Sequence, residues 1–388
     1  MATASISSST DWRQEWFEFE DATYLNLAGQ SPMPKVSLRA LQAAQEWKKF
    51  PHHKPDSTFF EVPNRIRASI AKLIGGKAEE VAITTGASTG VAAVAYGLSW
   101  KAGDEIITAK GEFPLQYTVW KPMEEREGVR LTIVAPRERF ITADDLLAAM
   151  TPRTRLVSVS LVRFDDGSLL DAARVAEACH ARGAFLLLDA SQCCGTLPMN
   201  VEKLGADFVV CAGYKGLLSP FGTGFFWAKS EHIAKMRPGP FYWMAVAGSD
   251  NFASLNFDNP KPAPAAKRWD TAEPASYFNF NLVAMDVSTD FVVRLGPEIV
   301  AKHNRALIDL MYERLPKDRC VPASPLDAAR RGAYGCFAAR SPEKTAELYE
   351  KLRSGNVIVS LREGNIRVSP HLYNTERDID RLISVVTA

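Results

Sequence analysis

Lys215 lies within ADFVVCAGYKGLLSPFGTGFFWA, residues 206–228. Apolar, β-branched residues run up to Cys211 as in a buried strand, a Tyr-Lys pair follows, and a second apolar run comes after Pro220. An amine hemmed in by apolar segments is partly desolvated, which disfavours the ammonium form, lowers the pKa and frees a nucleophile. Upstream, FLLLDASQ at 185–192 ends another apolar run on Asp189, with Gln192 three residues on. A carboxylate at a strand end and a downstream lysine suit pyridoxal 5'-phosphate (PLP) chemistry. The lysine forms a Schiff base with the cofactor and the acid pairs with its pyridinium nitrogen. Taken singly, such a lysine is a solvated loop residue and such an aspartate a turn or cap residue. The reading rests on the order and spacing of several features together.

Three further stretches could serve the same chemistry. VAITTGASTGVAAVAYGL at 81–98 reads as a strand, a Gly-Ala-Ser turn and a small-residue helix. Free N–H groups at the helix start, through Gly86, Ala87, Ser88 and Thr89, could cradle a phosphate; the plainer reading is an ordinary N-cap. In GEFPLQ at 111–116, Pro114 holds Phe113 extended, so its ring could stack on a planar group or simply fill the core. In GNIRVSPHLYN at 364–374, Arg367 is flanked by Ile366 and Val368 on a strand-like run. A buried arginine must be paired, either with an internal acid or with a substrate carboxylate that matches its fork.

These residues need a scaffold of alternating elements. Helical periodicity covers 36–49 and 61–74. Strand-like runs sit at 81–84, 105–108, 129–134, 155–161, 184–188, 206–211 and 223–228. Helix-like segments lie at 88–99, 115–127, 142–150 and 171–182. The alternation predicts an α/β fold, a mostly parallel sheet buried by helices on both faces. Residues 237–267 are loop-like, and helices are expected at 277–294 and 297–315. An α+β appendage follows: strand 334–338, helix 342–354, strands 356–360 and 364–369, and helix 375–387.

Composition narrows the classes. The chain has 388 residues, 46% hydrophobic and 23% charged, as in ordinary globular proteins. Its net charge of +1, with dispersed basic residues, gives no electrostatic footprint for nucleic acid or an anionic membrane. Six cysteines form no paired CxxC zinc pattern, so no metal site is expected and thiols are taken as reduced. MATASISSST lacks an apolar signal region and is expected to be mobile. No stretch is long enough to span a bilayer, and the cytoplasm is the simplest compartment.

With these motifs in this order, the chain resembles the class V aminotransferase-like enzymes of PLP fold type I. That group includes cysteine desulfurases, selenocysteine lyases, kynureninases and isopenicillin-N-epimerase-like proteins. The resemblance runs from YLNLAGQSPMP at 24–34 to RVSPHLYNTERDIDRL at 367–382. DASQ, AGYKGLLSPFGTGF and IRVSPHLYNTERDID carry it most specifically. It implies a large PLP domain with a seven-stranded sheet, here 36–265, a small C-terminal domain, 266–388, and an N-terminal segment, 1–35, lining the active site. It also implies a homodimer with its active sites at the subunit interface. Lys215 would bind PLP, Asp189 would meet the pyridinium nitrogen, and Gln192 the phenolic oxygen or the Schiff-base region. Ala87 and Ser88 would contact the phosphate, as would the Tyr214 hydroxyl, and Phe113 would stack on the ring. Arg367 would clamp the substrate α-carboxylate, with Asn26, Ala28 and Gly29 at the substrate mouth.

Departures from the family pattern narrow the reaction. Residues 340–366 hold no cysteine where a desulfurase needs its nucleophile, and Cys336 reads as buried, which argues against a persulfide-forming enzyme. Ala212 replaces a common serine, and Glu273 stands where a phosphate-binding threonine is frequent. Arg163 in VSLVRFDDG, near where the family often has asparagine, is read as a possible partner for an acidic substrate side chain. The expectation is a PLP enzyme acting on a small amino acid, by C–S or C–Se elimination or by transamination. Epimerisation, kynureninase-like hydrolysis and a catalytically degenerate binding protein are the alternatives.

Overall fold

Six runs buried on both faces and one largely exposed edge strand account for the main sheet. The computed structural model describes residues 11–239, 242–251, 259–271 and 280–388. Glu273, the N-terminal 1–10 and the first residues of the helix expected at 277–294 lie outside the described residues. A two-residue strand, β1 (Thr23–Tyr24), comes first. The main sheet is built from β2 (Val81–Thr84), β3 (Glu105–Ala109), β4 (Arg130–Val134), β5 (Thr154–Ser160), β6 (Phe185–Asp189), β7 (Phe208–Ala212) and β8 (Gly224–Ala228). Their spatial order is β2-β8-β7-β6-β5-β3-β4, and β8 alone runs against the rest. Alternation along each strand divides the core in two. Leu186, Leu188, Val209 and Cys211 pack on one face, and Leu187, Phe208 and Val210 on the other.

The predicted strands and helices match these elements within a few residues, with two divisions; one is the strand expected at 356–360, which splits into Val357–Ile358 and Ser360–Arg362. The segment expected as one helix over 115–127 forms two, Leu115–Thr118 and Lys121–Glu127. Pro122 explains the break, since it lacks an N–H and its ring clashes with the preceding turn. The C-terminal part holds β9 (Cys320–Pro322), β10 (Gly335–Ala339), β11 (Val357–Ile358), β12 (Ser360–Arg362) and β13 (Asn365–Val368). Four of these form an antiparallel sheet in the order β12-β13-β10-β9. Helices Pro297–Arg314, Pro342–Ser354 and Glu376–Thr387 accompany it. β1 joins this end of the chain by pairing in parallel with β11, and Asn26 bridges to Ser369. The N-terminal segment is thereby tied to the strand that carries Arg367. β1 and β9 are too short to show a periodic pattern, and sequence reading missed both. Among the described residues no helix is long and apolar enough to cross a membrane.

Candidate active site

Six of the seven strands share one direction, so their C-terminal ends open on one edge of the sheet. Ligand sites of open α/β sheets form at that edge, where loops diverge and helices begin. Gly86 and Ala87 follow β2, Glu112 and Phe113 follow β3, Arg163 follows β5, Asp189 ends β6, and Tyr214 and Lys215 follow β7.

Lys215 is buried, only 8% exposed, with its Nζ 5.4 Å from the centre of the Phe113 ring and 5.7 Å from that of Tyr214. No described residue accepts a hydrogen bond from this amine. Burial pulls its pKa from 10.5 down to about 8, against the opposing pull of Asp189; Arg367 and Arg362 push it further down. Asp189 is buried, and its Oδ1 accepts the Ser191 N–H at 2.8 Å. Its Oδ2 has no hydrogen-bond partner among the described residues. The Phe113 ring is 38% exposed, and its one aromatic neighbour among the described residues, Phe164, meets it edge-on at 5.4 Å. The ring face is therefore available for stacking. The Tyr214 ring stacks on Phe221 at 4.4 Å, and burial raises its hydroxyl's pKa.

Helix Ala87–Gly97 starts without a side-chain cap. Gly86 adopts φ +156° and ψ −176°, a conformation essentially reserved for glycine. A Cβ built there would meet nothing within 4 Å, so the space in front of the helix start is open. The first N–H groups of this helix have no acceptor among the described residues. Ala87 is buried and Ser88 exposed. The turn is held close to β8, where a Cβ on Gly224 would come within 2.7 Å of the Gly86 Cα.

The N-terminal segment closes the site from the other side. Gln192 donates through Nε2 to the Ala28 carbonyl at 3.2 Å, and the Ala28 N–H donates to Ser369 Oγ at 2.9 Å. Asn26 accepts through Oδ1 from the Ser360 hydroxyl. Gly29 is compelled by crowding, since a Cβ there would lie 2.5 Å from Asn26 Oδ1. Ala28, Gln192, Lys215, Tyr334 and Ser369 all line one small cavity.

Arg367 is 1% exposed. Its Nη1 donates to the Phe164 carbonyl at 2.8 Å, while its Nε is buried without a partner. The guanidinium lies 5.7 Å from the Tyr334 ring centre, and no described carboxylate comes within 4.0 Å of it. Burial lowers its pKa. The alternative of an internal salt bridge therefore does not apply among the described residues. A buried guanidinium without an acid is a poor structural element and a good receptor for a carboxylate.

Arg163 corrects the sequence reading. It is not free for a substrate: its Nη2 holds Asp165 at 2.8 Å and the Gly111 carbonyl at 2.7 Å, with Glu112 at 3.8 Å and Asp166 at 4.0 Å. Despite burial, these acids raise its pKa. Tyr334 donates its hydroxyl to the Arg163 carbonyl, and Glu112 accepts the Ser160 N–H at 2.9 Å. Sequence reasoning missed Glu112 and Tyr334. The acids at 165 and 166, next to Arg163 in the chain, were the available signal for its pairing.

The residues present fit PLP. An uncapped helix start faces open space, a desolvated amine has no acceptor, a ring face is free, and a buried carboxylate keeps one oxygen unpaired. All six cysteines are buried; Cys336 is 0% exposed, and burial pushes its pKa up to about 12, as befits an inert thiol.

Known proteins give a consistent comparison. The family model for aminotransferase class-V matches residues 23–382. Isopenicillin N epimerase of Streptomyces clavuligerus is 27% identical over 386 residues, covering 94% of each chain. A probable cysteine desulfurase of Methanothermobacter thermautotrophicus is 24% identical over 397 residues, covering 96% of each. Among solved structures, a C-DES mutant with glycine covalently linked to its PLP cofactor superposes with a TM-score of 0.86 at 20% identity, covering 96% of this chain and 98% of that one. The complex of the cystine C–S lyase C-DES with cysteine persulfide gives 0.84 at 20% identity, covering 94% and 97%. At that identity the structural likeness establishes the fold, which is PLP fold type I.

Proposed function

The chain belongs to the aminotransferase class-V family, and from that premise we propose that Lys215 binds PLP and moves the Cα proton of a small amino acid. The protein is a PLP-dependent enzyme of this family. The observation that carries the proposal is the Lys215 amine, buried without an acceptor beneath the open face of Phe113. Bound there, PLP supplies an electron sink that makes the substrate Cα–H acidic.

The chain's own residues do the rest. The N–H groups at Gly86, Ala87 and Ser88 receive the phosphate, with the Tyr214 hydroxyl beside it. Asp189, with one oxygen unpaired among the described residues, would hold the pyridine nitrogen, and Gln192 would hydrogen-bond the phenolic oxygen or the Schiff-base region. Phe113 packs on the ring and excludes water. Lys215 Nζ, whose pKa burial lowers to about 8, would be the base that takes the Cα proton. Arg367 holds the α-carboxylate at a mouth formed by Asn26, Ala28 and Gly29.

The reaction is elimination at a carbon–sulfur or carbon–selenium bond, or transfer of the amine. A covalent persulfide is disfavoured, because 340–366 contain no cysteine and Cys336 is sealed. Epimerisation is the second reading, favoured by the likeness to isopenicillin N epimerase. The N-terminal segment, a cofactor-binding part to about residue 265 and a smaller C-terminal part act as one unit, within a homodimer in the cytoplasm.

Reconstitution with PLP tests the assignment. The holoenzyme should show a visible absorption band, and borohydride should fix a pyridoxyl group on Lys215 by peptide mass mapping. A small amino acid should shift the band. A pyridoxyl group fixed on a different lysine would sink the assignment.

A further inference from the structure

The hairpin that carries Arg367 holds a second arginine beside it. β12 and β13 pair antiparallel, with Ser360 opposite Arg367, Leu361 opposite Ile366, and Arg362 opposite Asn365. Side chains of directly paired residues, and of residues two apart, share one face of a sheet. One face of the hairpin therefore carries Leu361 and Ile366, which pack into the C-terminal core. The other carries Ser360, Arg362, Asn365 and Arg367.

Three of those four contact the opposite wall of the site. Ser360 donates to Asn26, Asn365 Nδ2 reaches the Asp165 carbonyl at 3.5 Å, and Arg367 reaches the Phe164 carbonyl. Arg362 does not. It is exposed, and its Nη1 donates only to the neighbouring Leu361 carbonyl at 2.8 Å. No described carboxylate lies within 4.0 Å of it. The acids on the facing loop, Asp165 and Asp166, are engaged by Arg163. Its charge also reaches both Lys215 and Arg367, since it helps depress the pKa of each.

We propose that Arg362 receives an anionic side chain of the substrate, so that the enzyme takes α-amino acids carrying a second negative group. Arg367 takes the α-carboxylate and Arg362, on the same face of the hairpin, takes the distal anion. This inference rests on the proposed function and names its substrate class. It also moves the acidic-substrate role from Arg163, which is buried among Glu112, Asp165 and Asp166, to an exposed arginine with no acid within 4.0 Å among the described residues. Two like charges on one face repel each other, and a dianionic amino acid relieves that repulsion while gaining two charge-assisted hydrogen-bonded contacts.

The test is a titration of the PLP holoenzyme with glutamate, glutamine, aspartate and asparagine, read as the shift of the visible band. Each acid differs from its amide mainly in the distal charge. The better acid should bind about fivefold more tightly than its amide, the upper range for an exposed ion pair, and the ratio should shrink as salt is raised. Arg362→Gln should bring the ratio to within about twofold, and Arg362→Lys should keep part of it. Equal binding of acid and amide by the wild type would overturn the inference, as would a ratio unchanged in Arg362→Gln. Either result leaves the proposed function standing if amino acids still shift the band. A holoenzyme that responds to none of the four probes overturns this inference, while a shift of the band by cysteine or another small amino acid leaves the proposed function standing.

Discussion

Lys215→Met should make the cofactor-free protein more stable. In the folded chain the buried amine titrates near pH 8, and in the unfolded chain near 10.5. Between those values the unfolded chain binds more protons, so stability rises with pH across the window. Below about pH 8 both states are charged, and the full cost of burying the ammonium is present. At about 1.4 kcal/mol per pH unit, the drop from 10.5 to about 8 amounts to roughly 3 kcal/mol. Methionine has similar length and no charge, so it removes that cost and keeps the packing. For a chain of 388 residues, about 3 kcal/mol corresponds to roughly 4 °C in Tm. The assay is thermal unfolding of cofactor-stripped wild type and variant at pH 7 and at pH 10. The gain should be largest at pH 7 and small at pH 10. A variant no more stable than wild type at pH 7 would refute the claim that Lys215 is desolvated. A gain of equal size at both pH values would trace it to packing instead. The cost makes sense as a price of function, because the environment that destabilises the ammonium is the one that frees the nucleophile.

Two other substitutions probe the cofactor cradle. Asp189→Asn should retain PLP but lose activity, on the order of 100-fold in kcat, as when a preorganised charge partner is removed; near-normal turnover would reduce Asp189 to a partner for the Ser191 N–H. Gly86→Ala meets no clash within 4 Å but forces φ +156° on a residue with a Cβ. It should cost about 1–3 kcal/mol in denaturant unfolding and weaken PLP binding in a titration, and an unchanged affinity would show that this turn does not shape the phosphate site.

The fold was legible because most of its main-sheet strands are buried on both faces. Runs such as FLLLD and FVVCA have few competing readings once helices alternate with them. The helix break at Pro122 was legible too, and the expected continuous helix overlooked it. The site divides differently. Lys215, Asp189 and Phe113 stand at strand ends, where local sequence marks the turn, and Arg367 stands out as a charge between apolar neighbours. What sequence could not show is which distant groups leave them free. Tyr334 reaches the Arg163 carbonyl across 171 positions, and Glu112 reaches Ser160 across 48. Arg163 and Arg367 look alike in the chain, each an arginine beside apolar residues. The acids at 165 and 166 mark Arg163 in the chain, but only the packing adds Glu112 to it and shows that no described acid reaches Arg367.

That contrast gives Arg163 its own task. Its guanidinium ties the Gly111 carbonyl, just before Phe113, to Asp165 in the loop after β5. The same loop supplies the Phe164 carbonyl that orients Arg367 and the Phe164 ring that meets Phe113 edge-on. Tyr334, beneath Arg367, hangs from the Arg163 carbonyl. Phe113 and Arg367 thus share one support. Three acids around one guanidinium would leave the cluster negative if all were ionised. Burial raises the pKa of Glu112, and burial followed by the repulsion of Asp165 raises that of Asp166. A support of this kind holds Phe113 and Arg367 in fixed relation before any ligand arrives, and catalysis by positioning requires that.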